Sequence, residues 1–447
     1  MHTGALKVLK SRQGEKTEEI FGGLRNNPYF CELKVDEVKP VKPKHFSMNN
    51  KMKTAVYTLT SGLHDEEAVG AVTREFLGGL QMDYEYRGAD FSDYGSHALD
   101  LIFVRTGGTE GLFRRLLPEL RERSSRPFYL LASGKSNSLA ASLEILSFLR
   151  QQGLKGEVLH GSAVYVSKRI ALLERVGEAL RRLQGCRLGI VGEPSDWLIA
   201  SHADKTMVRN RLGIELEDIP MQELLDTIAQ TPPAEVTEEA PTDAIRKALP
   251  GADQIYRALR CVAERRRLQG LTIRCFDLLT AVHNTGCLAL ARLNSEGLVA
   301  GCEGDVPAML SMMIARSLLG VSGFQANPAR IDPESGEMLF AHCTIPFNLV
   351  ERYEYDTHFE SGIGVGIRGY MKEGPVTIFK VSGDLSRCFI EEGDLIRNQA
   401  QPDLCRTQQV IRLGDPARTA YFLTSPIGNH HIILPGHHKE ELEELLK

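Results

Sequence analysis

The sequence has little that would bind nucleic acid, cross a membrane or direct secretion. Its 447 residues carry 53 Lys and Arg against 58 Asp and Glu, a net charge of −5, so no global positive field attracts a phosphate backbone. No apolar run approaches the roughly 20 residues that a membrane helix requires, and the polar amino terminus has no apolar signal segment. We therefore expect a cytoplasmic protein that binds neither nucleic acid nor membrane.

Cysteine pairs at short spacing are also absent, which excludes further classes. The nine cysteines are widely spaced and no CxxC motif occurs, so a zinc knuckle is disfavoured. In a chain of this length the cysteines indicate free or buried thiols in a reducing compartment. The hydrophobic content of 42% and the charged content of 25% are those of an ordinary globular protein, and they exclude collagen-like, coiled-coil and largely disordered chains.

The order of apolar and polar runs predicts an α/β protein with a β-rich carboxyl-terminal part. Residues 1–50 are rich in Lys and interrupted by Pro, which indicates an irregular arm. Strand-like runs alternate with helix-period segments over 51–165 and 166–322, which predicts two Rossmann-like, doubly wound domains with parallel sheets. From 323 to 447, short alternating runs punctuated by Gly, Pro and Asp predict a barrel-like domain that ends with a helix.

The densest group of chemically active residues lies in LVAGCEGDVPAM, residues 298–309. We expect LVAGC to form a strand, and Pro307 suits the first turn of a following helix because its missing N–H is not needed there. Glu303 and Asp305 then lie in the turn between them, where two carboxylates can converge on a divalent cation. The alternative is helix capping, in which an acidic side chain stabilises the helix amino terminus without another function.

Histidines in the β-rich part could complete such a site. His342 closes the apolar run LFAH and is either a cleft residue or a hydrogen-bonded core histidine. His430 and His431 are adjacent, and because neighbouring side chains of a strand point to opposite faces, one could face a cleft while the other does not. Two carboxylates with one or two imidazoles suit manganese and leave coordination positions open to substrate oxygens.

Several of these segments together resemble the L-fucose isomerase and L-arabinose isomerase superfamily. The resemblance covers about 190–200 and 270–447, and is carried by GEPSDWLI, LTIRCFDLL, CLALARLNSEGLVAGCEGDVPAML, ANPARID, LFAHCTIP and GNHHIILPGHHKEELEELL. It implies two Rossmann-like domains followed by a barrel-like domain. It also implies a Mn²⁺ cofactor, a homo-oligomer (a trimer or hexamer), and interconversion of an aldose and a ketose, a pentose or 6-deoxyhexose, through an enediol.

The resemblance implies a role for each candidate residue. The implied metal ligands are Glu303, Asp305 and His430, the implied acid–base residues are Asp305, Asp277 and Glu303, and the implied substrate-binding residues are His342, His431, Asn429 and Trp197. Many relatives place a catalytic glutamate shortly after the Arg-Cys-aromatic segment, where this chain has only Asp277. Asp is one methylene shorter, and a displacement of about 1 Å can cost on the order of a hundredfold in rate. Either Asp277 is the second acid–base residue, or the isomerase reaction is altered or lost.

Two other functions remain open on the sequence alone. A non-catalytic sugar-binding or regulatory protein could keep this fold without turnover, as the missing glutamate would permit. A metal-dependent hydrolase or aldolase acting on phosphorylated sugars would need a strong phosphate site. GKSN at 134–137 lacks the P-loop spacing, and GIGVGIRG is followed by no helix, so neither motif supplies one. A manganese-dependent sugar ketol-isomerase is the leading hypothesis.

Overall fold

A computed structural model describes residues 54–233, 235 and 240–447. Two parallel sheets with flanking helices precede a closed antiparallel barrel, which confirms the predicted fold class. The irregular arm predicted for residues 1–50 lies outside the described residues. In the described ranges, no helix combines the length and the apolar character that a bilayer-spanning segment needs.

The first α/β unit is a five-stranded parallel sheet with strand order β2-β1-β3-β4-β5. Its elements are β1 (Thr54–Leu59), α1 (Glu66–Gly78), β2 (Glu85–Gly88), β3 (Leu99–Val104), α2 (Glu110–Arg123), β4 (Phe128–Ala132), α3 (Ser138–Gln151) and β5 (Gly156–Leu159). Every residue of β1 and β3 is buried, as expected for central strands covered by helices on both faces. A long helix, α4 (Ala163–Leu183), leads to the second unit.

The second unit is a four-stranded parallel sheet with strand order β7-β6-β8-β9. Its elements are β6 (Arg187–Val191), α5 (Lys205–Leu212), β7 (Glu215–Ile219), α6 (Met221–Gln230), α7 (Asp243–Arg266), β8 (Gly270–Ile273), α8 (Asp277–Ala281), α9 (Cys287–Glu296), β9 (Val299–Gly301) and α10 (Val306–Leu319). The strand order reverses between β6 and β8, and in open α/β sheets ligands bind beyond the carboxyl ends of the strands at such a reversal.

The third unit is a barrel of six antiparallel strands in the order β10-β11-β16-β15-β14-β17, with a separate β12–β13 hairpin. Its elements are β10 (Phe324–Asp332), β11 (Glu337–His342), β12 (Arg352–Asp356), β13 (Gly366–Tyr370), β14 (Gly374–Val381), β15 (Cys388–Gln399), β16 (Thr407–Leu413), α11 (Ala420–Thr424), β17 (His431–Pro435) and α12 (Lys439–Leu446). Closing the barrel removes the exposed strand edges of an open sheet.

Helix α10 joins the second sheet to the barrel. Eleven of its fourteen residues are buried, as expected for a helix that is covered all round. Its apolar side chains share one core with residues of β6 on one side and of β14 and β17 on the other. The Ser311 hydroxyl of α10 also accepts a hydrogen bond from the Val381 N–H of β14 (3.0 Å). This packing brings barrel strands against the amino terminus of α10, where the acidic turn lies.

Candidate active site

The turn between β9 and α10 presents the two predicted carboxylates in different ways. Asp305 caps α10, because its Oδ1 accepts the Ala308 N–H at 2.7 Å. This confirms the capping interpretation, which does not exclude a further role for Asp305. Glu303 and Gly304 adopt left-handed backbone conformations, with φ of 64° and 71°. A glutamate rarely adopts such a conformation, which costs about 1–3 kcal/mol and is typical of functional sites.

Gly304 allows the turn to approach the loop that follows β6. A Cβ at this position would lie 2.7 Å from both the Glu193 carbonyl oxygen and the Pro194 Cα. In the same contact, the Ser195 N–H donates to the Glu303 carbonyl at 2.9 Å. The loop after β6 therefore supports the backbone of Glu303 directly.

Gly304→Ala is expected to destabilise the protein by about 2–4 kcal/mol, because the new methyl group adds a backbone clash to the strain of a positive φ. Gly320→Ala is the matched control. Gly320 ends the same helix with a φ of 80°, but nothing lies within 4 Å of the Cβ that would be added, so we expect a loss of only about 1 kcal/mol. Denaturant unfolding of both variants measures the difference, and equal losses would contradict the contact with the Glu193 loop.

His430 lies between the two carboxylates and is fully buried. Its Nδ1 is 2.9 Å from Asp305 Oδ2, and its Nε2 is 3.5 Å from Glu303 Oε1. The Nε2 atom has no hydrogen-bond partner among the described residues. Because Asp305 fixes the Nδ1 side of the ring, the Nε2 lone pair or proton is directed towards Glu303.

His342, at the end of β11, approaches the same glutamate oxygen from another strand. Its Nε2 is 3.7 Å from Glu303 Oε1, and its Nδ1 is 3.1 Å from the Thr344 hydroxyl. The rings of His342 and His430 have centroids 5.3 Å apart. One carboxylate oxygen therefore faces two imidazole nitrogens, each belonging to a ring whose other nitrogen is held.

His431 points away from this cluster, as the alternation of side chains along a strand requires. Its Nε2 is 3.0 Å from the Tyr421 hydroxyl, and its Nδ1 is 3.0 Å from the carbonyl oxygen of exposed Asn429. Burial, together with the positive charge of Lys380, lowers the pKa of His431 to about 3. Among the described hydrogen bonds, neither His431 nor Asn429 contacts Glu303, His342 or His430. Their predicted substrate-binding roles stay predictions.

Lys380 belongs to the site but was not predicted from the sequence. It lies on β14 with 1% of its side chain exposed, and its ammonium is 3.3 Å from both oxygens of Asp305. Burial lowers the pKa of Lys380, although Asp305 opposes that shift. The sequence does carry a signal for this role: a single Lys stands in the apolar run PVTIFKV, and a lysine is almost never fully buried unless it is paired.

The charges in the cluster determine which groups are ionised. Burial alone would raise the pKa of Asp305, but Lys380 and His430 lower it to about 2. Burial would also raise the pKa of Glu303, yet His430 and His342 hold it well below its usual range. Burial would lower the pKa of His430, but the two carboxylates raise it to about 9. Both carboxylates are therefore anionic at neutral pH.

Trp197 covers Glu303 from the loop after β6. Its indole Nε1 donates to Glu303 Oε2 at 2.6 Å, across 106 positions of sequence. Trp197 packs edge to face on Phe276, which packs in the same way on His358. Burial lowers the pKa of His358. The wall formed by Trp197, Phe276 and His358 is therefore largely apolar and uncharged. Phe276 and His358 were not predicted, because their position depends on three separate loops.

Asp277 makes no described hydrogen bond or ion pair with Glu303, Asp305, His342 or His430. Its carboxylate is 3.2 Å from Arg274 Nε, and the same guanidinium binds Asp196 at 2.8 Å. It lines a cavity of about 660 Å³ at the reversal of strand order, together with residues of the loops after β6, β7 and β8. The catalytic role of Asp277 stays a prediction, and its described contacts are those of an ion pair at the cavity wall.

The contacts of Glu303 with each of the two imidazoles have the spacing of neighbouring ligands on a divalent cation. Glu303 Oε1 is 3.5 and 3.7 Å from the Nε2 atoms of His430 and His342. A cation with bonds of about 2.0–2.3 Å holds neighbouring ligand atoms roughly 3.3–3.8 Å apart in a tetrahedral site. Lys380, His430 and Ala308 already bind the oxygens of Asp305. These are the contacts of a carboxylate that orients His430, and the direct metal ligation predicted for Asp305 stays a prediction.

The curated proteins that this chain resembles include several named sulfoquinovose isomerase. No protein-family model matches the chain. The chain is 25% identical over 223 residues to sulfoquinovose isomerase from Priestia aryabhattai (46% of this chain, 50% of the relative), and 26% identical over 220 residues to the enzyme of that name from Clostridium sp. (strain MSTE9) (46% and 47%). It is 22% identical over 261 residues to the one from Alkalicoccus urumqiensis (55% and 59%). The chain spans about half the length of the curated relatives it matches.

Proposed function

We propose that this protein is a metal-dependent aldose–ketose isomerase. The observation that carries the proposal is the convergence of two imidazole nitrogens on one ionised carboxylate oxygen, with His430 Nε2 buried and without a hydrogen-bond partner. A buried polar atom without a partner is costly, and an ion in contact with it removes that cost. The names of the similar proteins support the same reaction class.

Glu303, His342 and His430 would hold the cation, for which Mn²⁺ is our first candidate. When bound, the ion would stabilise negative charge on neighbouring sugar oxygens. Asp305 accepts from His430 Nδ1 and so holds Nε2 towards Glu303, while Lys380 keeps Asp305 in place. Such supporting carboxylates set the tautomer and orientation of a ligating histidine.

Aldose–ketose isomerisation also moves a proton between two adjacent carbons. We propose Glu303 Oε2 for this transfer, because among the described contacts it carries only the hydrogen bond from Trp197. Trp197 fixes the carboxylate orientation, and the wall formed with Phe276 limits the access of water to the transferring proton. A carboxylate held in a largely buried site can act as general base once a substrate is bound.

Solvent exchange tests the proposal directly. Protein stripped with a chelator and then resupplied with Mn²⁺ is incubated in D₂O with sulfoquinovose, unsubstituted hexoses, 6-deoxyhexoses and pentoses. We expect deuterium at C1 or C2 and formation of the isomeric sugar only after the ion is restored. Sugar binding without exchange across this panel would instead support the non-catalytic sugar-binding alternative.

Asp277→Asn tests the acid–base role predicted for Asp277. Because its carboxylate is 41% exposed and paired with Arg274, we expect turnover to fall by less than about tenfold, as for a group that is not required for proton transfer. Steady-state kcat and KM on the best substrate of the panel provide the measurement. A fall of a hundredfold or more in kcat, with KM unchanged, would assign the proton transfer to Asp277.

A further inference from the structure

A buried thiol borders the proposed ion site. Cys302 immediately precedes Glu303, and only 3% of it is exposed. One potential ligand atom each from Cys302, Glu303 and His342 lies within 4.8 Å of the others, and all three residues are buried. The described part of the chain contains no other group of this kind.

The position of this thiol is fixed by the surrounding structure. The side-chain amide of Gln325, on β10, binds both the N–H and the C=O of Cys302, at 2.9 and 3.3 Å. The Cys302 Sγ lies 3.1 Å from the Cys275 Sγ, beyond the end of the adjacent strand β8. This contact with Cys275, and burial, raise the pKa of the Cys302 thiol. The raised pKa favours the neutral thiol, whereas a bound cation would favour the thiolate, because a coordinating thiol is deprotonated.

The donor set of sulfur, nitrogen and oxygen selects particular cations. Mn²⁺ and Mg²⁺ favour sites made of oxygen ligands, whereas thiolate and imidazole together favour Zn²⁺ and Co²⁺ in tetrahedral sites. His430 Nε2, which is buried and has no hydrogen-bond partner, supplies a second imidazole at 3.5 Å from Glu303. Glu303 therefore has one thiol and two imidazoles as neighbouring donors.

We propose that Cys302 is a thiolate ligand of the active-site cation, alongside Glu303, His342 and His430, and that the site binds Zn²⁺ and Co²⁺ more tightly than Mn²⁺. The proposal rests on the proposed function, because it concerns the same ion. On binding, the Cys302 S–H bond breaks, its proton passes to solvent and its electron pair forms the sulfur–metal bond. The thiol of Cys275 then donates to the thiolate, which orients it as a supporting residue.

Cobalt provides a spectroscopic test that does not depend on activity. The chelator-treated full chain is titrated with Co²⁺, and the wild-type protein is expected to show thiolate-to-cobalt charge-transfer absorption in the near ultraviolet, besides visible d–d bands. Cys302→Ser should lose the charge-transfer band and bind Zn²⁺ at least about a hundredfold more weakly. Cys186→Ser is the control, since it removes a buried thiol outside the proposed ligand set; it should keep the band.

The wild-type spectrum decides the proposal even if the Cys302 variant does not fold. Visible d–d bands without charge transfer would show Co²⁺ bound without sulfur, which overturns the role of Cys302 but leaves the proposed isomerase intact. A protein that binds no Co²⁺ at all overturns both this inference and the ion of the proposed function. A charge-transfer band in a protein that isomerises no sugar would support the thiolate ligand and contradict the proposed reaction.

Discussion

Glu303→Gln is expected to reduce turnover by at least about a thousandfold, because the amide removes an anionic ligand oxygen and the proposed proton acceptor together. The remaining contacts of residue 303 should survive, since a glutamine oxygen can still accept the Trp197 N–H. We therefore expect near-normal folding with almost no bound ion. The test is to measure the metal content after dialysis and kcat on the same variant.

Two comparisons make this prediction specific. Glu303→Asp keeps the charge but shortens the side chain by one methylene, and a displacement of about 1 Å can cost on the order of a hundredfold. Glu337→Gln is the control, because Glu337 pairs with Arg397 and Arg412 on the barrel, away from the cluster; it should leave kcat within about twofold. Wild-type turnover in Glu303→Gln would remove Glu303 from the mechanism.

Asp305→Asn is expected to destabilise the protein by about 3–5 kcal/mol, the usual consequence of removing one partner of a buried ion pair. The variant leaves the Lys380 ammonium, 1% exposed, without the anion that both of its hydrogen bonds reach. It also weakens the hold on His430, so we expect bound ion and turnover to fall about tenfold to hundredfold, as for other supporting carboxylates. Denaturant unfolding and metal titration measure the two effects separately.

The double variant Asp305→Asn/Lys380→Met separates charge burial from site geometry. Replacing Lys380 by an apolar side chain of similar length removes the unpaired ammonium, so at least half of the lost stability should return. Turnover should not return, because His430 Nδ1 still lacks its carboxylate partner. If the double variant is no more stable than Asp305→Asn, the loss of stability does not come from leaving the Lys380 ammonium buried without its anion. Recovery of turnover in the double variant would contradict the orienting role of Asp305.

Several local features of the site could be predicted from the sequence because they depend on neighbouring residues. The run LVAGC with Pro307 predicted a strand, a turn and a helix, and β9 and α10 lie where expected. The alternation along a strand predicted that His430 and His431 face opposite sides, which their contacts confirm. The regular alternation of strands and helices likewise predicted both parallel sheets.

Other features could not be found in this way, because the partners are distant in sequence. Lys380 reaches Asp305 across 75 positions, and Trp197 reaches Glu303 across 106. The strand β12 (Arg352–Asp356) was not predicted either: RYEYD is a short run that alternates charged residues with tyrosine, contains no aliphatic residue and is mostly exposed.

The sequence by itself therefore determined the local elements and the acidic turn, since helix caps, glycine turns and strand periodicity act over a few residues. Tertiary structure alone decided which groups meet that turn. The barrel packs against α10 through β14 and β17, and this contact sets Lys380 and His430 beside Asp305 and Glu303. Such contacts arise from the burial of apolar surface between whole elements, which is non-directional and leaves no periodic signal in the residues that it brings together.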